Sequence, residues 1–399
     1  MAVAKEDKAF AARLSKQFGV EVDTRDQHEV IADLRKQGVD AVPQVILPLL
    51  ERQKDNSITP AVVIDGVELM PLGGIANKVT VVCNQNGEYL TYKSDEHGFH
   101  NPGGIWQSGP VDVAAVGNSL TLGYCVPSDK NFVALIRERY PATLNLGMSG
   151  EGPLHILGIL KEYASRLKPK LVLWFYPEGN SFSELRAEKQ SRILVRYLED
   201  DFGQGLPARQ RDIDRALIDH VAQRGATSAA QPPRPASRAS GLRQCIRLSA
   251  LRQKLGVVYG TSGGRSEHLS ALELSELKEE LDLFRDIVSE AKARVAAWGG
   301  ELYFVYLPSW GRLTNNLGIG DRARTQVLTL VDNLDIPLID VSPAFQAHRD
   351  PLSLFPFRGP GHYNEEGHRV VAEVVLNVLT RRHPNDSGGR TSSGLMPEA

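Results

Sequence analysis

Apolar positions in this chain fall into two alternating patterns from residue 111 onward. Short continuous runs at 113–116, 143–146, 171–176, 302–307 and 337–340 read as buried strands. Between them lie stretches with helical spacing at 131–140, 155–167, 321–333 and 365–379. Strands that alternate with helices predict a parallel, doubly wound sheet covered on both faces, a three-layer αβα fold. Ligands of such sheets bind outside the carboxyl ends of the strands.

Residues 1–108 are patterned differently. The stretch 23–38 predicts a short helix with Thr24 or Asp26 as cap, Val30, Ile31 and Leu34 on one face, and Gly38 at its end. Runs of β type follow at 61–64, 79–83 and 89–92, as in a small antiparallel sheet. This predicts an α+β addition over 1–108 and an α/β domain over 109–383. The gap between the third and fourth strands is far longer than the usual connection of about 4–6 residues. It predicts a helical insertion over about 181–300, with helices at 185–201, 208–224 and 272–298. In the last of these Leu274, Leu277, Leu281, Phe284 and Val288 share a face. The Ala-, Ser-, Pro- and Arg-rich stretch 225–240 predicts a mobile loop, and 384–399 a disordered tail. Residues 224–260 hold Arg and Lys but no acidic residue, which reads as a solvated basic loop.

Composition narrows the function classes. The 399 residues are 42% hydrophobic and 24% charged, with net charge −2, so nothing global points to nucleic acid. No apolar run is long enough to span a bilayer, and residues 1–14 lack the apolar core of a signal peptide. The chain is expected to be soluble as it stands, in a bacterial cytoplasm, or in a periplasm had an N-terminal anchor been removed. Cys83, Cys125 and Cys245 read most simply as unpaired thiols. The other reading is a Cys83–Cys125 bridge, which requires the N-terminal addition to pack against the loop after Ser119. No Cys or His spacing suggests a metal site, and no cofactor is expected.

Four pieces of sequence could meet above the sheet. Ser119 follows the first strand in Gly117-Asn118-Ser119-Leu120. Asn145-Leu-Gly-Met-Ser-Gly150 follows the second strand and Glu178-Gly179-Asn180 the third. Gly361-His362-Tyr363-Asn364-Glu365-Glu366-Gly367-His368 precedes the last helix. A serine needs a base to become a nucleophile. His362 lies in a loop ahead of a helix that Asn364 can cap, whereas His368 would fall inside that helix and reads as structural. The N–H groups of Ser119 and Gly150 and the side-chain amide of Asn180 would make a three-donor oxyanion hole. His97 and His100, in the turn-rich patch 94–104, read as loop histidines rather than site residues.

These blocks resemble the SGNH hydrolase superfamily, the GDSL-type esterases. Gly-Asn-Ser-Leu matches the first block, usually Gly-Asp-Ser. The second block would supply Gly150, the third Asn180 and the last His362 as base. The resemblance covers about 112–180 and 301–380. It implies an αβα fold, no metal, and acyl-ester hydrolysis or acyl transfer through an acyl-serine. The substrate it implies is a small-molecule or saccharide acyl ester. The alternatives are a glycan O-acyltransferase or a carbohydrate-binding protein on a degenerate scaffold. Oligomeric state stays open. The chain departs from the pattern twice. Asn118 replaces the usual Asp, and Gly359 and Pro360 stand where the family places the acid that orients the histidine. Asp340, Glu178, Glu365, Glu366 and backbone carbonyls are the remaining acceptors for the far nitrogen of His362. Asp340 is a possible acid, and a backbone carbonyl, hence a Ser119–His362 dyad, is the expectation.

Overall fold

The structure is a computed structural model and describes residues 16, 19, 21–52, 58–60, 62–84, 87–179, 181–230, 271–314 and 320–383. The helix Gln27–Lys36 starts at a reciprocal cap. The Asp26 carboxylate accepts from the Glu29 N–H, and Glu29 accepts from the Asp26 N–H, so two of the free donors at the helix start are satisfied. Val30 and Ile31 form its buried face. Seven short strands follow: β1 (Ala41–Pro43), β2 (Leu50–Arg52), β3 (Ile58–Pro60), β4 (Val62–Ile64), β5 (Val67–Leu69), β6 (Val79–Val81) and β7 (Thr91–Lys93). The expected small antiparallel sheet is divided. β1 runs parallel to β6, β6 runs antiparallel to β7, and β2–β3 and β4–β5 are separate antiparallel pairs. Strands of three residues carry too few side chains to write partner and direction into their pattern.

The central sheet is built from β8 (Val113–Gly117), β9 (Thr143–Asn145), β10 (Leu171–Pro177), β11 (Glu301–Leu307) and β12 (Leu338–Asp340), all parallel, in the order β12-β11-β10-β8-β9. β8 and β10 are buried along their whole length, as their unbroken apolar runs require. Successive side chains still alternate in what they touch. Ala114, Val116, Val172, Trp174, Phe304 and Tyr306 share one apolar cluster with Leu154 and Leu157 of the helix Pro153–Ile159 and Phe284 and Val288 of the helix Ala271–Ala297. Val113, Ala115, Leu173, Phe175, Tyr303 and Val305 share the other with Ile136 of the helix Phe132–Arg139 and Val371 and Val375 of the helix Glu365–Arg382. Three layers result, and each fully buried large apolar side chain contributes about 1.5–3 kcal/mol. The first cluster also takes in Val42, Leu47, Leu72 and Phe99, so the upstream strands close over that face.

Helices between β10 and β11 follow the predicted pattern with two differences. The stretch 185–201 is not one helix. Ser181–Glu188 ends, and Ser191 caps a new turn, Arg192–Val195, by accepting from the Leu194 N–H. The helix Gln210–Ala230 runs past the expected end at 224 and takes up 225–230, the start of the stretch read as a loop. Residues 231–240, the rest of the basic stretch, Cys245 and the tail lie outside the described residues. Among the described residues no helix is long and apolar enough to cross a membrane.

Cys83 and Cys125 are bonded, with Cα atoms 5.7 Å apart, which replaces the reading of both as free thiols. The bond joins the end of the upstream sheet to the loop that follows Ser119, across 42 positions. Closing a loop of that length restricts the unfolded chain by about 4 kcal/mol. Reduction is therefore expected to lower the melting temperature clearly and turnover with it. Calorimetry with and without reductant checks this, and an unchanged melting temperature would count against a stabilising role.

Candidate active site

The order of the central strands reverses between β8 and β10, because chain connections leave these two neighbours toward opposite edges. The crevice at such a switch point is where open α/β sheets bind ligands. Ser119 sits on it. β8 ends in Gly117 at φ 152°, where a Cβ would lie 2.7 Å from the Phe175 carbonyl oxygen of β10, so only glycine lets the strands stay paired there. Asn118 then caps the turn Ser119–Leu122 by accepting from the Leu120 N–H at 3.1 Å. The turn leaves Ser119 partly exposed.

His362 arrives from the other end of the chain. Its Nε2 lies 2.8 Å from Ser119 Oγ, across 243 positions of sequence. The loop that carries it is held on both sides. Phe357 and Arg358 adopt left-handed backbone at φ 50° and 59°, each at a cost of about 1 kcal/mol or more. The Trp310 indole donates to the Arg358 carbonyl, the Tyr363 hydroxyl donates to the Pro308 carbonyl, and Asn364 caps the next helix at Gly367 N–H. The Tyr124 ring lies against the imidazole, with centroids 4.5 Å apart. Burial pushes His362 down to about 4, so the ring is neutral near pH 7 and can accept the serine proton.

His368 does different work. It is fully buried, accepts from the Phe132 N–H at Nδ1 and stacks on the Phe132 ring. His100 is a brace as well. Its Nδ1 bonds the Leu122 carbonyl and its Nε2 the Ser128 hydroxyl, which ties the upstream loop to the turn after Ser119. His97 packs between Trp106 and Tyr163.

Gly150 lies at φ 86° on the loop after β9. That loop is fixed from below by Asn145, which accepts from the Gly147 N–H, and by Glu151, which accepts from the Met148 N–H. From above, a strap of the upstream sequence grips it. The Leu47 N–H donates to the Ser149 carbonyl, and the Gln44 amide donates to the Ser149 hydroxyl. Ile46, between them, is 62% exposed beside Gly150. Asn180, the third expected donor, lies outside the described residues.

The carboxylates weighed as acceptors for the far nitrogen of His362 have other work. Asp340 pairs with Arg324 and accepts from the Ser342 N–H, so it caps the helix after β12. That strand is the sheet edge, three spacings or about 14 Å from β8. Asp340, a possible acid in the sequence, is thus engaged as a helix cap. Glu178 accepts from Ser309 and from Arg312, Glu366 pairs with Arg369, and Glu365 stands in an exposed first turn. Among the described residues no group of three or more His, Cys, Asp or Glu is placed to hold a metal ion.

No protein-family model matches the chain, and no curated protein sequence matches it. Solved structures are similar to it at low identity. A member of the lipolytic protein G-D-S-L family from Veillonella parvula is 14% identical over 68% of this chain and 99% of its own, with a TM-score of 0.34. An acetyl xylan esterase is 11% identical over 67% of this chain and 100% of its own, with a TM-score of 0.36. A two-domain esterase active on acetylated mannans is 11% identical over 74% of this chain and 55% of its own, with a TM-score of 0.35. Ser119 and His362, both singled out in the sequence, lie in contact, whereas Tyr124, Ile46 and Gln44 were not singled out there. Their partners lie far off in sequence, and no local pattern marks them.

Proposed function

We propose that this chain is a serine-dependent acyl-ester hydrolase acting through an acyl-serine on a small-molecule or saccharide ester. The observation that carries the reading is the 2.8 Å contact between Ser119 Oγ and His362 Nε2 at the switch point of the sheet. In the working tautomer Nε2 is bare and takes the Ser119 proton as Oγ attacks the ester carbonyl. The tetrahedral oxyanion would lie between the N–H groups of Ser119 and Gly150, with Asn180 as the third donor. Each such donor contributes about 3 kcal/mol of transition-state stabilisation. His362 then protonates the leaving alkoxide, and the acyl-serine is hydrolysed by water that His362 deprotonates in turn. A backbone carbonyl in place of a carboxylate behind the ring, the acceptor expected from the sequence, would stabilise the imidazolium less and make turnover slow.

Labelling of Ser119 by an organophosphonate, read by mass spectrometry, tests the reading together with p-nitrophenyl acetate turnover. Absence of both would end it. The pH profile is a separate check. A base held down to about 4 is already neutral at pH 5, so the acid limb of kcat/KM is expected near pH 4 rather than near the ordinary histidine value of about 6.5. An acid limb at 6 or above would mean that burial does not hold the imidazole down.

A further inference from the structure

The segment that follows β11 ties two parts of the candidate site together. β11 ends at Leu307, whose carbonyl accepts from the Glu178 N–H at 2.9 Å, so Glu178 carries the pairing of β10 with β11 one step further. The Glu178 carboxylate then holds the residues after Leu307. It accepts from the Ser309 N–H at 3.0 Å and from the Ser309 hydroxyl at 3.1 Å. Arg312, in the turn Trp310–Leu313, donates to it through Nε at 2.9 Å and again through the end of its guanidinium. The Arg312 and Glu178 side chains are 9% and 5% exposed, so this is a buried ion pair held at two points.

The same segment holds the loop of His362. The Pro308 carbonyl accepts from the Tyr363 hydroxyl at 2.6 Å, and the Trp310 indole donates to the Arg358 carbonyl at 3.0 Å. Tyr363 is buried and directly follows His362. Arg358 precedes it, and Gly359, Pro360 and Gly361 between them have no polar side chain with which to fix the loop. The loop therefore takes its place in part from the segment 308–312, and that segment takes its place from Glu178.

We propose that the Glu178–Arg312 ion pair positions His362, acting through Pro308, Trp310 and Tyr363. A guanidinium that meets a carboxylate at two points sets direction as well as distance. An imidazole that must stay in hydrogen-bond reach of Ser119 needs that precision, because a misplacement of about 1 Å costs a large factor in rate. The inference rests on the reading of His362 as the base.

The test compares the wild type with Tyr363→Phe and with Arg312→Met combined with Glu178→Gln. The phenylalanine keeps the buried ring and removes only the bond to Pro308. The combined variant removes both charges, so neither is left buried alone and folding is kept. Each is expected to lower kcat on p-nitrophenyl acetate about tenfold, with KM changed less than about twofold, because the base loses its reach rather than the site its hold on substrate. A second readout needs no catalysis. Histidine ring signals are followed by NMR from about pH 4.5 to 8, with His362 assigned by its loss in His362→Ala. Burial pushes His362 down to about 4 and its neighbour His368 down to about 3, and the Tyr124 ring lies against the His362 imidazole. In the wild type His362 should therefore stay neutral at pH 5. A loosened loop lets water reach the ring, so in both variants His362 is expected to take up its proton above pH 5, toward the ordinary value of about 6.5. A tie that served stability alone would lower the melting temperature and leave this titration in place. An unmoved titration in either variant overturns the proposal whatever kcat does, and so does an unchanged kcat. If the wild type hydrolyses no ester, the reading of His362 as base fails separately, and the titration alone upholds or overturns the positioning.

Discussion

Ser119→Ala is expected to lower ester turnover by about 10⁴-fold or more and to abolish phosphonate labelling, with no loss of melting temperature. The size follows from what one oxygen does. In the proposed mechanism Ser119 Oγ, 2.8 Å from His362 Nε2, is the atom that attacks, so its removal would leave no covalent route. Stability should be untouched because the turn is held by other groups. Asn118 caps it, the Tyr124 N–H bonds the Ser119 carbonyl, and Gly123 ends it in left-handed backbone at φ 84°. His362→Ala should lose a comparable factor, and the double variant should lose little more than either one, because residues that act on one proton are not additive. Turnover is measured with p-nitrophenyl acetate, and labelling by mass spectrometry of the peptide that contains residue 119. Ser119→Ala that keeps turnover would show that another group does the chemistry.

Much of this arrangement could be read from the sequence, for a physical reason. A strand buried on both faces writes an unbroken apolar run, and a strand-to-helix turn writes Gly and a capping side chain. β8, Gly117 and Asn118 are therefore visible locally, and so is Asn364 ahead of the last helix. His362 was separable from His368 because only the second falls at a core position of that helix. What was not legible depends on packing between distant segments. The parallel pairing of β1 with β6, the strap of Gln44 and Leu47 on Ser149, and Tyr124 against His362 are contacts whose partners leave no mark beside them in sequence. Asp340 was ambiguous for a different reason. An aspartate at a strand end looks the same whether it orients a base or caps a helix, and Arg324 and the Ser342 N–H decide it.

Gly150→Ala is expected to lower kcat by about 10²–10³-fold while KM changes little. Two independent constraints meet at this residue. At φ 86° a side chain strains the backbone by about 1 kcal/mol or more. A Cβ would also run into the Leu47 carbonyl oxygen and come within 3.1 Å of Ile46 Cγ2. The carbonyl belongs to a backbone that cannot turn aside, because the Leu47 N–H and the Gln44 amide both hold it to Ser149. Loop and strap must therefore separate, and the Gly150 N–H moves with the loop. For the Gly150 N–H as a proposed oxyanion donor, a displacement of about 1 Å is enough to spoil its aim at the developing charge. Ground-state binding does not use that aim, which is why the loss should fall on kcat. Gln44→Ala offers a graded comparison. It frees one of the two ties without adding bulk, so it should reduce kcat by much less than Gly150→Ala does. Steady-state kinetics on both variants, with melting temperatures to confirm folding, decides the matter. Gly150→Ala within about threefold of wild-type kcat would remove this N–H from the proposed oxyanion hole.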